Sequence, residues 1–193
     1  MPHPAQRRRP ARDRILDAAA IRFYRDGIVA TGIDSITADA GVAKMSLYNN
    51  FASKGALVEA YVDERHAQWL TLYTARAEGH EDDPRALILA VFDAYLDHAA
   101  EAFELGFRGC GQLNAAAELP IGDPGRNAVR RHKDEVESIL RDAATRIDDA
   151  HGVELAEHLV FVLEGAMARA GLDGSPERMQ RARSIAERLL ADA

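Results

Sequence analysis

Lys44, Met45 and Ser46 stand side by side, immediately ahead of the apolar Leu47. A lysine ammonium and a serine hydroxyl can donate to the acceptor-rich edges of base pairs, and a methionine can make apolar contact with a thymine methyl. On a short helix, the residues near the N-terminus are the ones that reach base edges in a major groove. Lys54 falls at the start of the next helical pattern, where free backbone N–H groups also favour a phosphate. Thr31, near the start of the preceding one, is a further candidate phosphate contact. Together these residue types point to recognition of double-stranded DNA.

A second chemistry is written at Phe107-Arg108-Gly109-Cys110-Gly111. Cys110 is the single cysteine, which excludes an internal disulfide framework and a multi-cysteine zinc site. Beside Arg108 and flanking glycines, its thiol has either the accessible, partly ionised character of a redox or electrophile sensor or the inertness of a buried thiol. Enzyme signatures are missing. The glycines of 106–111 follow no strand, and no Gly-x-x-x-x-Gly-Lys-Ser/Thr loop occurs. Glu154, Glu157 and His158 share one helix but read as a solvated face, so neither a cofactor nor a metal is expected.

These residues need elements to hold them. The chain has 193 residues, 47% of them apolar and 28% charged, with only 6% aromatic, the composition of a soluble globular protein. No apolar run reaches the ~18 residues of a membrane span, and the basic start lacks the apolar stretch of a signal peptide, so a cytoplasmic location with no membrane partner is expected. Charge is uneven: residues 1–60 hold nine Lys and Arg against six Asp and Glu, while the whole chain carries a net −7. A basic head on an acidic body suits a head that meets a polyanion.

Residues 1–12, rich in proline and arginine, read as a flexible basic arm. Leu16, Ala19, Ala20 and Phe23 then form one helical stripe, closed by Gly27. A short helix with Ile33, Ile36 and Ala40 inward is broken at Gly41, and another runs from about Ala43 to Asn50. Two such helices joined across a glycine have the form of a helix-turn-helix, and neither is stable alone at this length. Further helices are expected from Ser53 towards Ala77, over 85–104, 112–118 and 126–150, from Val153 to Ala170 and over 176–191. The fold expected is all-α with about nine helices: an N-terminal three-helix unit (13–57) followed by a larger helical unit (58–193).

Ile15 to Ala19, then Ile36-Thr37-Ala38-Asp39-Ala40-Gly41-Val42-Ala43-Lys44-Met45-Ser46-Leu47-Tyr48-Asn49-Asn50-Phe51 and on to Lys54 and Leu57, resemble the DNA-binding domain of TetR-type transcriptional regulators. The resemblance covers about 45 residues, including the Leu-Tyr-x-x-Phe-x-x-Lys signature. It implies phosphate contacts at Tyr48 and Asn49, and a ligand-released, dimeric repressor on a palindromic operator. Ala43 departs from the serine common in the family, and Thr37 from a common alanine, which leaves the operator sequence open.

A homodimer is expected because one short helix reads too few bases. The dimer seam is expected on the last two helices, from Leu159, Val162, Leu163, Ala166 and Leu189. A pocket for a small, mostly apolar effector is expected among Trp69, Phe92, Tyr95, Phe107, Asn114 and Phe161, with Cys110 as a ligand-side or sensing residue and Phe103, Leu113, His66 and His98 as further members. The acid excess of the body favours a cationic or neutral ligand over an anion. The alternative function is a redox or electrophile-sensing repressor acting through Cys110.

Overall fold

Pro10 fixes where the first helix begins, because its ring suits the position just before a helix and its carbonyl accepts the first intrahelical bond, from the Arg14 N–H at 3.2 Å. The helix α1 therefore starts at Ala11, two residues earlier than the apolar stripe suggests. The computed structural model describes residues 10–103 and 106–193, so Arg7, Arg8 and Arg9 of the expected arm and the side chain of Phe103 lie outside the described residues. Within them the chain forms α1 (Ala11–Asp26), α2 (Ile33–Ala40), α3 (Lys44–Asn50), α4 (Lys54–Ala77), α5 (Pro84–Phe103), α6 (Gly111–Glu118), α7 (Pro124–Ile147), α8 (Gly152–Asp173) and α9 (Glu177–Ala191), and no strand.

The caps explain most ends. Ser53 accepts from the Ala56 N–H at α4, and Asp123 accepts from the Gly125 N–H with Pro124 as the first helical residue of α7. Gly41 takes the left-handed conformation (φ 60°) that ends α2 and turns the chain into α3 within three residues. The Arg14 guanidinium donates to the Ala40 and Gly41 carbonyls, satisfying acceptors that the end of α2 leaves open.

Two apolar cores follow. One joins Ile15, Ala19, Phe23, Ile36, Leu47 and Phe51 of the first three helices to Leu57, Val58, Tyr61 and Val62 of α4, with Ala115, Ala128 and Val129 contributed by α6 and α7. The other fills the body between α4, α5, α7, α8 and α9 around Trp69, Phe92, Leu140, Leu159, Leu163 and Met179. The long α4 belongs to both, so it is the rigid beam between head and body. No helix among the described residues is long and apolar enough to cross a membrane.

Candidate nucleic-acid interface and effector cavity

On α3, Leu47 is fully buried and points into the head, so the residues around it are turned outward. Lys44, Met45, Tyr48 and Asn49 are exposed (Met45 by 70%), and Ser46 is half-buried. A 70% exposed methionine on a seven-residue helix is an apolar group with no use inside the head. Lys44 Nζ makes a 2.8 Å ion pair with Asp34 of α2, both side chains lying in solvent. Arg22 is held by Asp39 and Asp26, and Arg12 lies over the Phe51 ring. Asn50 donates to the Ser46 carbonyl at 2.7 Å.

Two expected phosphate contacts are placed otherwise. Thr31 is buried, and its hydroxyl donates to the Gly27 carbonyl at 2.6 Å, closing the α1–α2 turn. Lys54 Nζ donates to the Ile28 carbonyl at 2.5 Å, and burial lowers its pKa. Both side chains therefore brace the turn that leads into α2. The signal was in the sequence only as donor type near a helix start; which acceptor each would find depends on tertiary packing.

In the body, a narrow cavity of about 40 Å³ lies where α1, α4, α5, α6 and α8 meet. Tyr95, Phe107 and Cys110 line it as expected, and His98 joins them. Tyr24, Arg65, Gln112 and Met167 complete the wall and were not foreseen, because none stands out in a helical pattern. Four expected wall residues are elsewhere. Trp69 and Phe92 have no exposed surface and belong to the packed core behind the cavity. Phe161 is 65% exposed on the outer side of α8. Asn114 donates to the Arg108 carbonyl at 2.9 Å and lines a shallower hollow on the far side of Cys110.

Behind Tyr95 runs a buried polar chain. Lys133 Nζ donates to Glu164 at 2.7 Å and to the Tyr95 hydroxyl at 3.0 Å. The hydroxyl lies 3.2 Å from His132 Nε2, His132 Nδ1 lies 2.7 Å from His66 Nδ1, and His66 Nε2 lies 3.0 Å from Glu135. One assignment satisfies every link: the Tyr95 O–H donates to His132, the His132 Nδ1–H to His66, and the His66 Nε2–H to the carboxylate. The reverse direction would leave the Tyr95 proton unused and point an imidazole lone pair at Glu135. In this assignment the His132 imidazole is neutral, donating at Nδ1 and accepting at Nε2. Burial, helped by the Lys133 charge, holds His132 down to about 2. Burial works against the Lys133 charge as well, but Cys110, Tyr95 and Glu164 around it outweigh that and raise its pKa. His66, foreseen as a cavity anchor, is thus a link between α4 and α7.

On the outer side of α8, Phe161, Gly165, Ala168 and Leu172 recur at i, i+4, i+7 and i+11 and are all exposed, Leu172 by 79%. Leu159 and Leu163, expected on a dimer seam, are buried in the chain's own core instead, since they sit on the opposite side of α8. Val162, Ala166 and Leu189 are half-buried at the edge of that core.

The sequence profile of a family described as bacterial regulatory proteins, tetR family, matches residues 15–61. The chain is 35% identical over 86 residues to the HTH-type transcriptional regulator TtgR of Pseudomonas putida, a match that spans 42% of this chain and only 41% of that protein. Over nearly the whole length it is similar to the crystal structure of SCO4454, a TetR-family transcriptional regulator from Streptomyces coelicolor: 32% identity, 95% of each chain covered and a TM-score of 0.85. A TetR transcriptional regulator from Chloroflexus aurantiacus aligns with 25% identity over 94% of this chain and 92% of its own, at a TM-score of 0.75.

Proposed function

The chain belongs to the TetR family of DNA-binding transcriptional regulators, and from that premise we propose that it is a homodimeric repressor released from a palindromic operator by a small, mostly apolar ligand. The observation that supports this most is the outward face of α3, where Lys44, Met45, Tyr48 and Asn49 are exposed on a helix held from behind by Leu47. Lys44 and Met45 reach base edges, while Tyr48 and Asn49 meet phosphates. Two copies of so short a helix need a two-fold axis, which matches half-sites about 34 Å apart. The outer stripe of α8, with Ile185 of α9, supplies the seam.

The effector enters the cavity at Tyr95, Phe107 and Cys110. Two routes lead from there to the heads. Tyr95 lines the cavity and belongs to the polar chain that passes through His66 of α4. The 107–111 segment touches the end of α1 directly. A ligand with unequal affinity for two arrangements of these contacts shifts the heads, and only such a ligand does so.

The test is retention of DNA from beside the protein's own gene, measured by fluorescence anisotropy at several salt concentrations. Saturable binding that weakens steeply with salt and is abolished in Lys44→Glu is expected. Binding unchanged by that charge reversal would remove α3 from the interface.

A further inference from the structure

The cavity carries a charge pattern opposite to that of the body around it. Among the described residues that line it none is an aspartate or a glutamate, and the one formally charged member is Arg65 of α4. That guanidinium donates to the neutral Gln68 Oε1 at 2.8 Å, one turn along the same helix, and its other side borders a hollow that holds Asp13, Asp17 and Glu64. Its charge is felt at Tyr24, Tyr61 and His98. A second cation, Lys133, stands behind Tyr95 with its Nζ 3.0 Å from the phenol oxygen, but Glu164 already neutralises it at 2.7 Å.

His98, also on the wall, has its Nε2 shut off from solvent with no hydrogen-bond partner among the described residues. A buried imidazole nitrogen without a partner carries a desolvation penalty that a bound acceptor or donor relieves. Burial, together with the Arg65 and Lys133 charges, holds His98 down to about 3, so the ring is neutral and can present Nε2–H as a donor. The rest of the wall is apolar, built from Ala99, Ala102, Phe107 and Met167.

We propose that the cavity takes a small organic carboxylate, with its anionic head on the Arg65 guanidinium and the His98 Nε2–H and its apolar body against Phe107 and Met167. This deepens the effector reading above and rests on it. A planar guanidinium whose hydrogen bond goes to a neutral amide, beside a buried imidazole donor, is suited to an oxyanion of two oxygens. A cation would meet Arg65 with nothing on the wall to offset the repulsion. A neutral ligand would leave the Arg65 charge unused on the cavity side. The acids of the body, which favoured a cation from composition alone, lie outside the lining.

The experiment uses the full chain and probes of one carbon skeleton: phenylacetate, phenylacetamide and phenethylamine, followed by the longer carboxylates 3-phenylpropionate and 4-phenylbutyrate. Binding is read by thermal shift and by the fluorescence of Trp69, the sole tryptophan, whose ring lies 5.5 Å from that of Tyr95. At least one carboxylate is expected to raise the Tm by about 2–4 °C at saturation and to bind at least tenfold tighter than its amide or amine counterpart. Arg65→Gln is expected to remove that preference, and Arg65→Lys, which keeps the charge and loses the planar fork, to weaken it only in part. The amide or amine binding as tightly as the carboxylate, an undiminished preference in Arg65→Gln, or no shift with any of the carboxylates overturns the proposal. Operator retention by the wild-type chain is scored in parallel. Carboxylate binding without DNA binding would overturn the regulator reading and leave this site standing, whereas DNA binding without a carboxylate preference does the reverse.

Discussion

The backbone N–H of Arg108 donates to the Tyr24 hydroxyl at 2.7 Å, which joins the rim of the body's cavity to the last turns of α1. The same hydroxyl reaches the Gly109 carbonyl at 3.2 Å, and the Arg108 guanidinium donates to the Tyr24 and Arg25 carbonyls at the open end of α1. Glu118 adds a bond to the Val29 N–H at 2.7 Å. A helix C-terminus leaves carbonyls unsatisfied, and here the body satisfies them. Any displacement of the 107–111 segment is therefore felt in the head.

Tyr24→Phe removes the acceptor and orphans the Arg108 N–H. The expected loss is about 1–2 kcal/mol of stability. Operator affinity without ligand should stay within about threefold, while release by a bound carboxylate weakens at least fivefold, the range of a typical coupling energy. Anisotropy titrations with and without the ligand check this. Full release in Tyr24→Phe would assign the coupling to α4 and His66 alone.

The Lys44–Asp34 pair makes a prediction of opposite sign. Asp34 is 81% exposed and draws the Lys44 ammonium to 2.8 Å, where it competes with DNA for that charge. Asp34→Asn removes the competitor and one negative charge from the face that approaches phosphates. An exposed pair of this kind contributes little to stability, so the fold should be unaffected. Operator affinity should rise about three- to tenfold at low salt and less at high salt. A fall in affinity would mean that Asp34 positions Lys44 and does not restrain it.

The buried histidines set an acid limit. His98 and His132 are held neutral by burial, at about 3 and about 2, against an ordinary value near 6.5. Below pH 6.5 the unfolded chain therefore takes up protons that the folded chain refuses, and stability falls as pH falls; above 6.5 neither group contributes. Each costs up to about 1.4 kcal/mol per pH unit in that window. Urea unfolding at pH 7.5 and 5.5 should show a loss of about 2–3 kcal/mol, and His132→Gln should reduce the slope by about half. A flat profile over this interval would contradict the neutral hydrogen-bonded chain.

The reading head was legible from sequence because its determinants are local. Glycine at 41, Leu47 inward and polar neighbours outward at helical spacing suffice to orient α3. The body was legible as helices and not as a site. Trp69, Phe92, Leu159 and Leu163 were sorted by size and period, and period says which residues share a side, not which side meets the core, another subunit or a cavity. Arg65 joins His98 on the cavity wall only through the crossing of α4 and α5. Thr31 and Lys54 show the same limit from the other direction, since a donor near a helix start is equally suited to a phosphate and to a carbonyl of its own chain.

Gly171 tests how tightly the cavity rim is fixed. A Cβ there would lie 2.7 Å from both the Cα and the N of Gly109 and 2.9 Å from the Arg108 carbonyl carbon, all backbone atoms that no side-chain rotation can move aside. Gly109 itself has φ +81°, so the segment cannot accommodate the push by an easy change of its own. Gly171→Ala should lift residues 108–109 from α8, at about 1–3 kcal/mol, and loosen the Arg108–Tyr24 contact. Hydrogen exchange at the Arg108 amide reads this directly. Wild-type protection in the variant would show that α8 yields and the rim does not.

The exposed stripe of α8 makes the last prediction. Phe161, Gly165, Ala168 and Leu172 place two large apolar groups on either side of two small residues, a profile that lets a second helix approach closely at the centre and bury the flanks. Polar side chains border it: Glu157 and His158 lie towards the start of α8, and Arg169 pairs with Asp173 at 3.4 Å. A stable pair needs roughly 1,200–2,000 Å² of buried surface, more than α8 alone would give, so the facing part of α9 at Ile185 must take part. Light scattering at micromolar concentration should find a dimer for the wild type and a monomer for Phe161→Glu, because a carboxylate at the seam would be desolvated against its own symmetry mate. Phe161 lies on the surface of the single chain, so the substitution leaves the monomer's core intact and circular dichroism should be unchanged. With the heads no longer linked, operator affinity should fall at least a hundredfold while the cavity keeps its ligand. A dimer that survives both Phe161→Glu and Leu172→Glu would place the two-fold axis elsewhere on the molecule.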